Sequence, residues 1–164
     1  MKKTQGVTLA LYPNTRGVAY ALLETPRDLI DCGVLSCRPF STDKLFRRVT
    51  SLLLYYKPEI VLLRDYNTRF SQKSNRIYEL INRLSLFALA KNIPVYQYSR
   101  EKVKEVFEVF GARTKHEIAK TVSEAVPALK PRLPKPKQIW QSEHHSMGIF
   151  DAAALGITHA YLTE

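Results

Sequence analysis

Two periodicities alternate along the chain. In GVTLALY, residues 6–12, Val7, Leu9 and Leu11 alternate with Thr8, Ala10 and Tyr12, which is the period-two signature of a strand with one face buried. GVAYALLE repeats the pattern after a turn over Asn14 to Gly17, and LIDCGVLSC supplies a third strand. From Ser41 the spacing changes to that of a helix: Leu45, Phe46, Val49, Leu52, Leu53 and Tyr56 recur every three or four residues until Pro58. EIVLLRDY is a short apolar run suited to a buried strand. A second amphipathic helix runs through Ile77, Leu80, Ile81, Leu84 and Ala88 to Asn92, before the strand PVYQY. Three more helices follow: Arg100 to Val109, one opened by the capping box Thr114-x-x-Glu117, and Gly148 to Leu162. Strands in series, then helices alternating with strands, predict an α/β fold, a central mixed five-stranded sheet flanked by helices.

One segment breaks the pattern. Residues 127–145 begin PALKPRLPKPK, with four prolines and four basic residues in eleven positions. That density of proline predicts an exposed, extended Pro/Lys-rich loop, serving as spacer or as interaction surface through Lys130, Arg132, Lys135, Lys137 and Trp140. With no repeat and no second composition regime, residues 1–164 read as one domain. Cys32 and Cys37 are five apart on the third strand, so they point to opposite faces as a reduced pair. No apolar run approaches the roughly 18 to 20 residues that span a bilayer, which makes a cytoplasmic chain without a membrane partner the expectation. Charge adds the first functional indication: 25 Lys and Arg against 15 Asp and Glu leave a net +10, and phosphate backbones attract such a surface irrespective of sequence.

The element order, the strand-turn-strand LALYPNTRGVAYALLE, the strand PEIVLLRDY, the block IPVYQYSREKVKEVFEVFGARTKHEIAKTV and the terminal DAAALGITHAYL together resemble the RuvC-type Holliday junction resolvases. The resemblance covers nearly the whole chain and implies a ribonuclease H-like fold. It also implies junction cleavage by Mg²⁺ held at four metal-binding positions, since a hard cation that must stabilise both attacking and leaving oxygens needs several oxygen ligands.

Carried over one at a time, those positions fall on unexpected residues. The first is Tyr12, a phenol of pKa about 10. The second is Arg64, whose guanidinium repels a cation. The two on the last helix are Gly148 and Asp151, so Asp151 is the retained family acid, although an acid near a helix start also serves the helix itself. Asp65 is a catalytic candidate only if a bulge turns it to the same face. His144 and His145 are candidate metal ligands, or a polar pair in a wet loop, and Asp31 is a distant acid that could re-enter. Arg64 paired with Asp151, with Tyr12 donating to it, would place an internal salt bridge where the metals belong. On this reading no cofactor is needed; Mg²⁺ or Mn²⁺ would serve an active form.

The nucleic-acid half of the resemblance is better kept. Its two junction-contacting lysines correspond to Lys104 and Lys115, with Gly111 between them and Arg100, Lys102, Arg113, His116 and Lys120 around them. Glu101, Glu105 and Glu108 also fit an ordinary solvated helix face. YNTRFSQKSNR brings Arg69 to the DNA and offers Tyr66 or Phe70 for stacking on an unpaired base, or for packing over the sheet edge. The resemblance further implies a homodimer, with its contact expected on the second helix. Three functions follow as expectations. The first is a RuvC-like protein that binds branched or duplex DNA without metal-dependent cleavage. The second is an active crossover-junction endodeoxyribonuclease with a rearranged metal site using Asp151, Asp65 and a histidine. The third is a structural or assembly subunit meeting other DNA-processing proteins.

Overall fold

In the computed structural model, which describes residues 6–65, 75–138 and 140–164, the two periodicities become five strands and five α-helices. The strands are β1 (Thr8–Asn14), β2 (Gly17–Thr25), β3 (Asp28–Ser36), β4 (Ile60–Asp65) and β5 (Val95–Ser99). The helices are α1 (Thr42–Tyr56), α2 (Asn75–Ala90), α3 (Arg100–Val109), α4 (Lys115–Ala125) and α5 (Met147–Thr163). The sheet order is β3-β2-β1-β4-β5. β1 to β3 form an antiparallel meander, while β4 lies parallel to β1 and β5 parallel to β4. The expected mixed five-stranded sheet flanked by helices is therefore the observed architecture.

Alternation along the strands sorts the core into two layers. Leu9, Leu11, Val61 and Leu63 face α1 and α2, meeting Leu45, Val49, Leu80 and Leu84. Ala10, Ala21 and Leu62 face the other way, toward Phe107, Val122, Phe150 and Ala153 on α3, α4 and α5. Small residues dominate the β1/β2 side of that second layer, so α5 lies very close to the sheet. At Gly148 an added Cβ would stand 2.7 Å from the Ala19 Cβ. α5 is apolar nearly all round, as a helix covered on both sides must be.

Local signals account for the ends. Asn14 Oδ1 accepts the Arg16 N–H at 2.9 Å, tightening the β1-β2 turn, and Gly17 has φ 146° with the Leu35 carbonyl where a Cβ would sit. The Thr114 hydroxyl accepts the Glu117 N–H at 3.1 Å, and the Glu117 carboxylate accepts the Arg113 N–H at 2.8 Å. Thr114→Ala should therefore lower stability by about 1 kcal/mol, read as a shift in the urea midpoint. Such a shift would come from fraying at the very turn that presents Lys115.

The 127–145 segment departs from expectation at its start. Pro127–Arg132 is a turn of 3-10 helix, with Leu129 fully buried. Proline forbids an α-helix interior, yet Pro127 sits at the start, where a missing N–H costs nothing, and burial of Leu129 fixes the turn. Residues 133–138 are the irregular, largely exposed part. Cys32 and Cys37 are free thiols packed against opposite layers. α2 packs inside the chain through Ile77, Leu80, Ile81, Leu84 and Ala88, while Tyr78, Leu86 and Leu89 are exposed.

Candidate functional site

β1 and β4 are parallel neighbours, so their C-terminal ends open at the same edge, where the starts of α4 and α5 also arrive. Tyr12 and Arg64 stand at those ends on the α5 side, by alternation from Ala10 and Leu62. The Arg64 guanidinium lies over the Tyr12 ring, 4.3 Å from its centroid, and Nη1 donates to the Pro13 carbonyl at 2.8 Å. Asp151, on α5 just past its first turn, does not take Arg64 as its ion-pair partner. Lys115 Nζ approaches Asp151 Oδ2 at 3.3 Å and also pairs with Glu143 Oε1. The Lys115 and Asp151 side chains are 34% and 18% exposed.

Burial sets the protonation states here. It raises the Asp151 carboxyl to about 6, against the pull of Lys115. Burial, with Asp151 beside it, also raises the Tyr12 phenol, so Tyr12 stays neutral at physiological pH. Burial pulls the Lys115 ammonium down, but Asp151 and Glu143 more than offset this and leave its pKa above the ordinary lysine value. At pH 7 the strand ends thus carry the Lys115 ammonium, the neutral Tyr12 phenol and the Asp151 carboxylate, with Arg64 and Glu143 beside them.

The other expected acids and ligands lie elsewhere. β4 pairs with β1 and β5 without a bulge, so Asp65 faces away from Asp151 and is exposed. Asp31 is on the α1 side, accepting from the Tyr20 and Tyr56 hydroxyls at 3.1 and 2.7 Å. His144 builds the start of α5: its carbonyl accepts the Met147 N–H at 3.0 Å and its Nδ1 accepts the Ser146 N–H at 3.2 Å. The His145 ring stacks on it at 4.3 Å, so the pair is engaged with itself and with the helix cap. Among the described residues no three His, Cys, Asp or Glu side chains converge on one point. A donor set of two carboxylates already holding an ammonium, beside a guanidinium, does not fit Mg²⁺.

The basic residues come together better. Arg100, Lys104 and Lys115 line a cavity of about 40 Å³ with Tyr12, Tyr98 and Asp151, so the two lysines of the family pattern share one site. Lys115 also lines a second, open cleft of about 880 Å³ between the start of α4 and the 134–144 segment, beside His116, Lys135 and Lys137. Arg113 is exposed near that cleft, 3.8 Å from Glu108. Tyr66, Arg69 and Phe70 lie outside the described residues. Glu143 escaped sequence reasoning because it sits in an aperiodic stretch; its only sequence signal is proximity to the start of the last helix.

The fold defined by this sheet and these helices is that of the RuvC and ribonuclease H-like proteins. Thermus thermophilus RuvC in complex with a Holliday junction substrate superposes with a TM-score of 0.74 at 20% identity, over 96% of this chain and 94% of that one. The yeast mitochondrial Holliday junction resolvase Ydc2 gives 0.63 at 11% identity, over 92% and 76%. Fowlpox virus resolvase, solved with its Holliday junction DNA, gives 0.54 at 17%, over 94% and 99%. No protein-family model matches the chain, and no curated protein matches it significantly. Among the described residues no helix is long and apolar enough to cross a membrane.

Proposed function

We propose that this chain is a RuvC-like protein that binds branched or duplex DNA and does not cut it by a metal-dependent route. The observation that carries this reading is the pair of cations, Lys115 and Arg64, set around the half-buried Asp151 at the ends of β1 and β4. The Arg64 guanidinium and the Lys115 ammonium can each face a phosphodiester oxygen, and both disfavour a divalent ion. The net charge of +10 and the basic residues lining the two clefts, which meet at Lys115, favour a phosphate backbone as the partner. The junction DNA bound to the structural neighbours makes branched DNA the first substrate to try.

The test is a labelled four-way junction and a matched duplex, incubated with Mg²⁺, Mn²⁺ or chelator and resolved on native and denaturing gels. The expected result is a salt-sensitive shift, equal in chelator and metal, with no strand scission. Lys104→Ala with Lys115→Ala should weaken the shift and flatten its salt slope by about 1 to 2 units. A symmetric, metal-dependent cut lost in Asp151→Asn would establish the rearranged endonuclease instead. Absence of salt-sensitive affinity would favour an assembly subunit that uses the fold for protein contacts.

A further inference from the structure

We infer that the Lys115 ammonium is the resident cation of the strand-end site, held by Asp151 and Glu143 in the role that the family resemblance assigns to a divalent metal ion. The inference takes its motive from the misfit between this donor set and Mg²⁺, and it does not require that DNA be the ligand.

Three features support it. The two carboxylates come from different elements, Asp151 from α5 and Glu143 from the segment before it, and both converge on the one Nζ atom. An ammonium is a compact point charge with three donors, so it can satisfy two carboxylates much as a small ion would. Helix electrostatics do not explain the arrangement. Lys115 is the first residue of α4, where the macrodipole disfavours a cation, and Asp151 lies past the first turn of α5, where the dipole no longer helps an acid. Each charge is thus placed for the other and not for its own helix. The side chain of Asp151 is only 18% exposed, so without Lys115 it would need another cation or a proton.

The consequence is a latent metal site. Lys115→Met removes the charge and keeps most of the side-chain volume, leaving two carboxylates facing the vacated position. Carboxylates and water suit Mn²⁺, and one or two carboxylates with several waters are a usual way to hold such an ion.

The experiment titrates Mn²⁺ into the unaltered protein, Lys115→Met, Lys115→Arg and Lys115→Met with Asp151→Asn, reading free Mn²⁺ by electron paramagnetic resonance. Lys115→Met should bind Mn²⁺ about tenfold or more tightly than the unaltered protein, with a matching rise in its thermal midpoint. Lys115→Arg, which keeps a cation, should not gain binding, and Asp151→Asn should abolish the gain. The inference is overturned if Lys115→Met gains nothing, if the gain survives Asp151→Asn, or if the unaltered protein already binds Mn²⁺ through Asp151. Should Lys115→Met fail to fold in chelator, recovery of folded protein when Mn²⁺ is added counts as the expected result, and no recovery overturns it. The DNA gel is independent, so failure of DNA binding and failure of the resident-cation assignment are separately visible.

Discussion

Gly148→Asp, which would put an acid back at one of the positions the resemblance assigns to a metal ligand, is expected to cost about 3 kcal/mol of stability and to restore no metal binding. A Cβ there would stand 2.7 Å from the Ala19 Cβ and 3.4 Å from the Asn14 side-chain nitrogen. The first distance is shorter than carbon atoms tolerate, and both partners are on the sheet, so α5 would have to lift from β1 and β2. Lifting it disturbs the layer built on Phe150, Ala152 and Ala153, all essentially buried. A second carboxylate would also enter the neighbourhood of Asp151. Urea denaturation of Gly148→Ala and Gly148→Asp separates the two costs: the alanine variant carries the steric part alone, and the aspartate variant adds the charge. An unchanged midpoint in both would mean that the helix has room to move.

Asp151→Asn should do the opposite and stabilise the protein at neutral pH, by up to about 3 kcal/mol. The folded state raises the Asp151 carboxyl from its ordinary 3.8 to about 6. A raised carboxyl binds its proton more tightly in the folded chain. The stability it contributes is therefore present in full below about pH 4 and lost as pH rises through about 6. Asparagine resembles the protonated form at every pH. The difference in unfolding free energy between variant and unaltered protein should be near zero at pH 4, grow across pH 4 to 6 and level off above it. Taking that difference cancels the exposed carboxyls of Asp43 and Glu117, whose lowered pKa values act in the opposite sense. A variant less stable at pH 7.5 would show that the attraction of Lys115 outweighs the burial of the charge.

Much of the fold is legible in the chain because it is written in period. Leu9 and Leu11 against Ala10 and Tyr12 decide which layer each strand residue joins, and both layers form as the alternation requires. The start of α4 is legible for a different reason: Thr114 and Glu117 meet through local spacing, and local spacing is what a sequence displays. The site is legible only in part. Positions 12, 64, 148 and 151 come from the resemblance, but what they do depends on contacts between residues far apart in the chain. Arg64 reaches Pro13 across 51 residues, and nothing near either of them announces it. The resemblance makes Lys115 a DNA contact, yet its partners, Glu143 and Asp151, lie on other elements. The 3-10 turn over Pro127–Arg132 is hidden because proline content counts against an α-helix interior, whereas Pro127 opens this short turn and Pro131 lies within it.

The stacked pair at the strand ends makes residues 12 and 64 a single unit of change. An acid at position 12 alone would face the Arg64 guanidinium and be neutralised by it before any ion arrived. An acid at position 64 alone would uncover the Tyr12 ring, remove the tie to Pro13 and set a new negative charge beside Asp151. Each single step is unrewarding for reasons that the other step removes, which is the condition for strong epistasis. Placing acids at positions 12 and 64 therefore requires a paired exchange, and a library that varies only one of the two at a time will not find it.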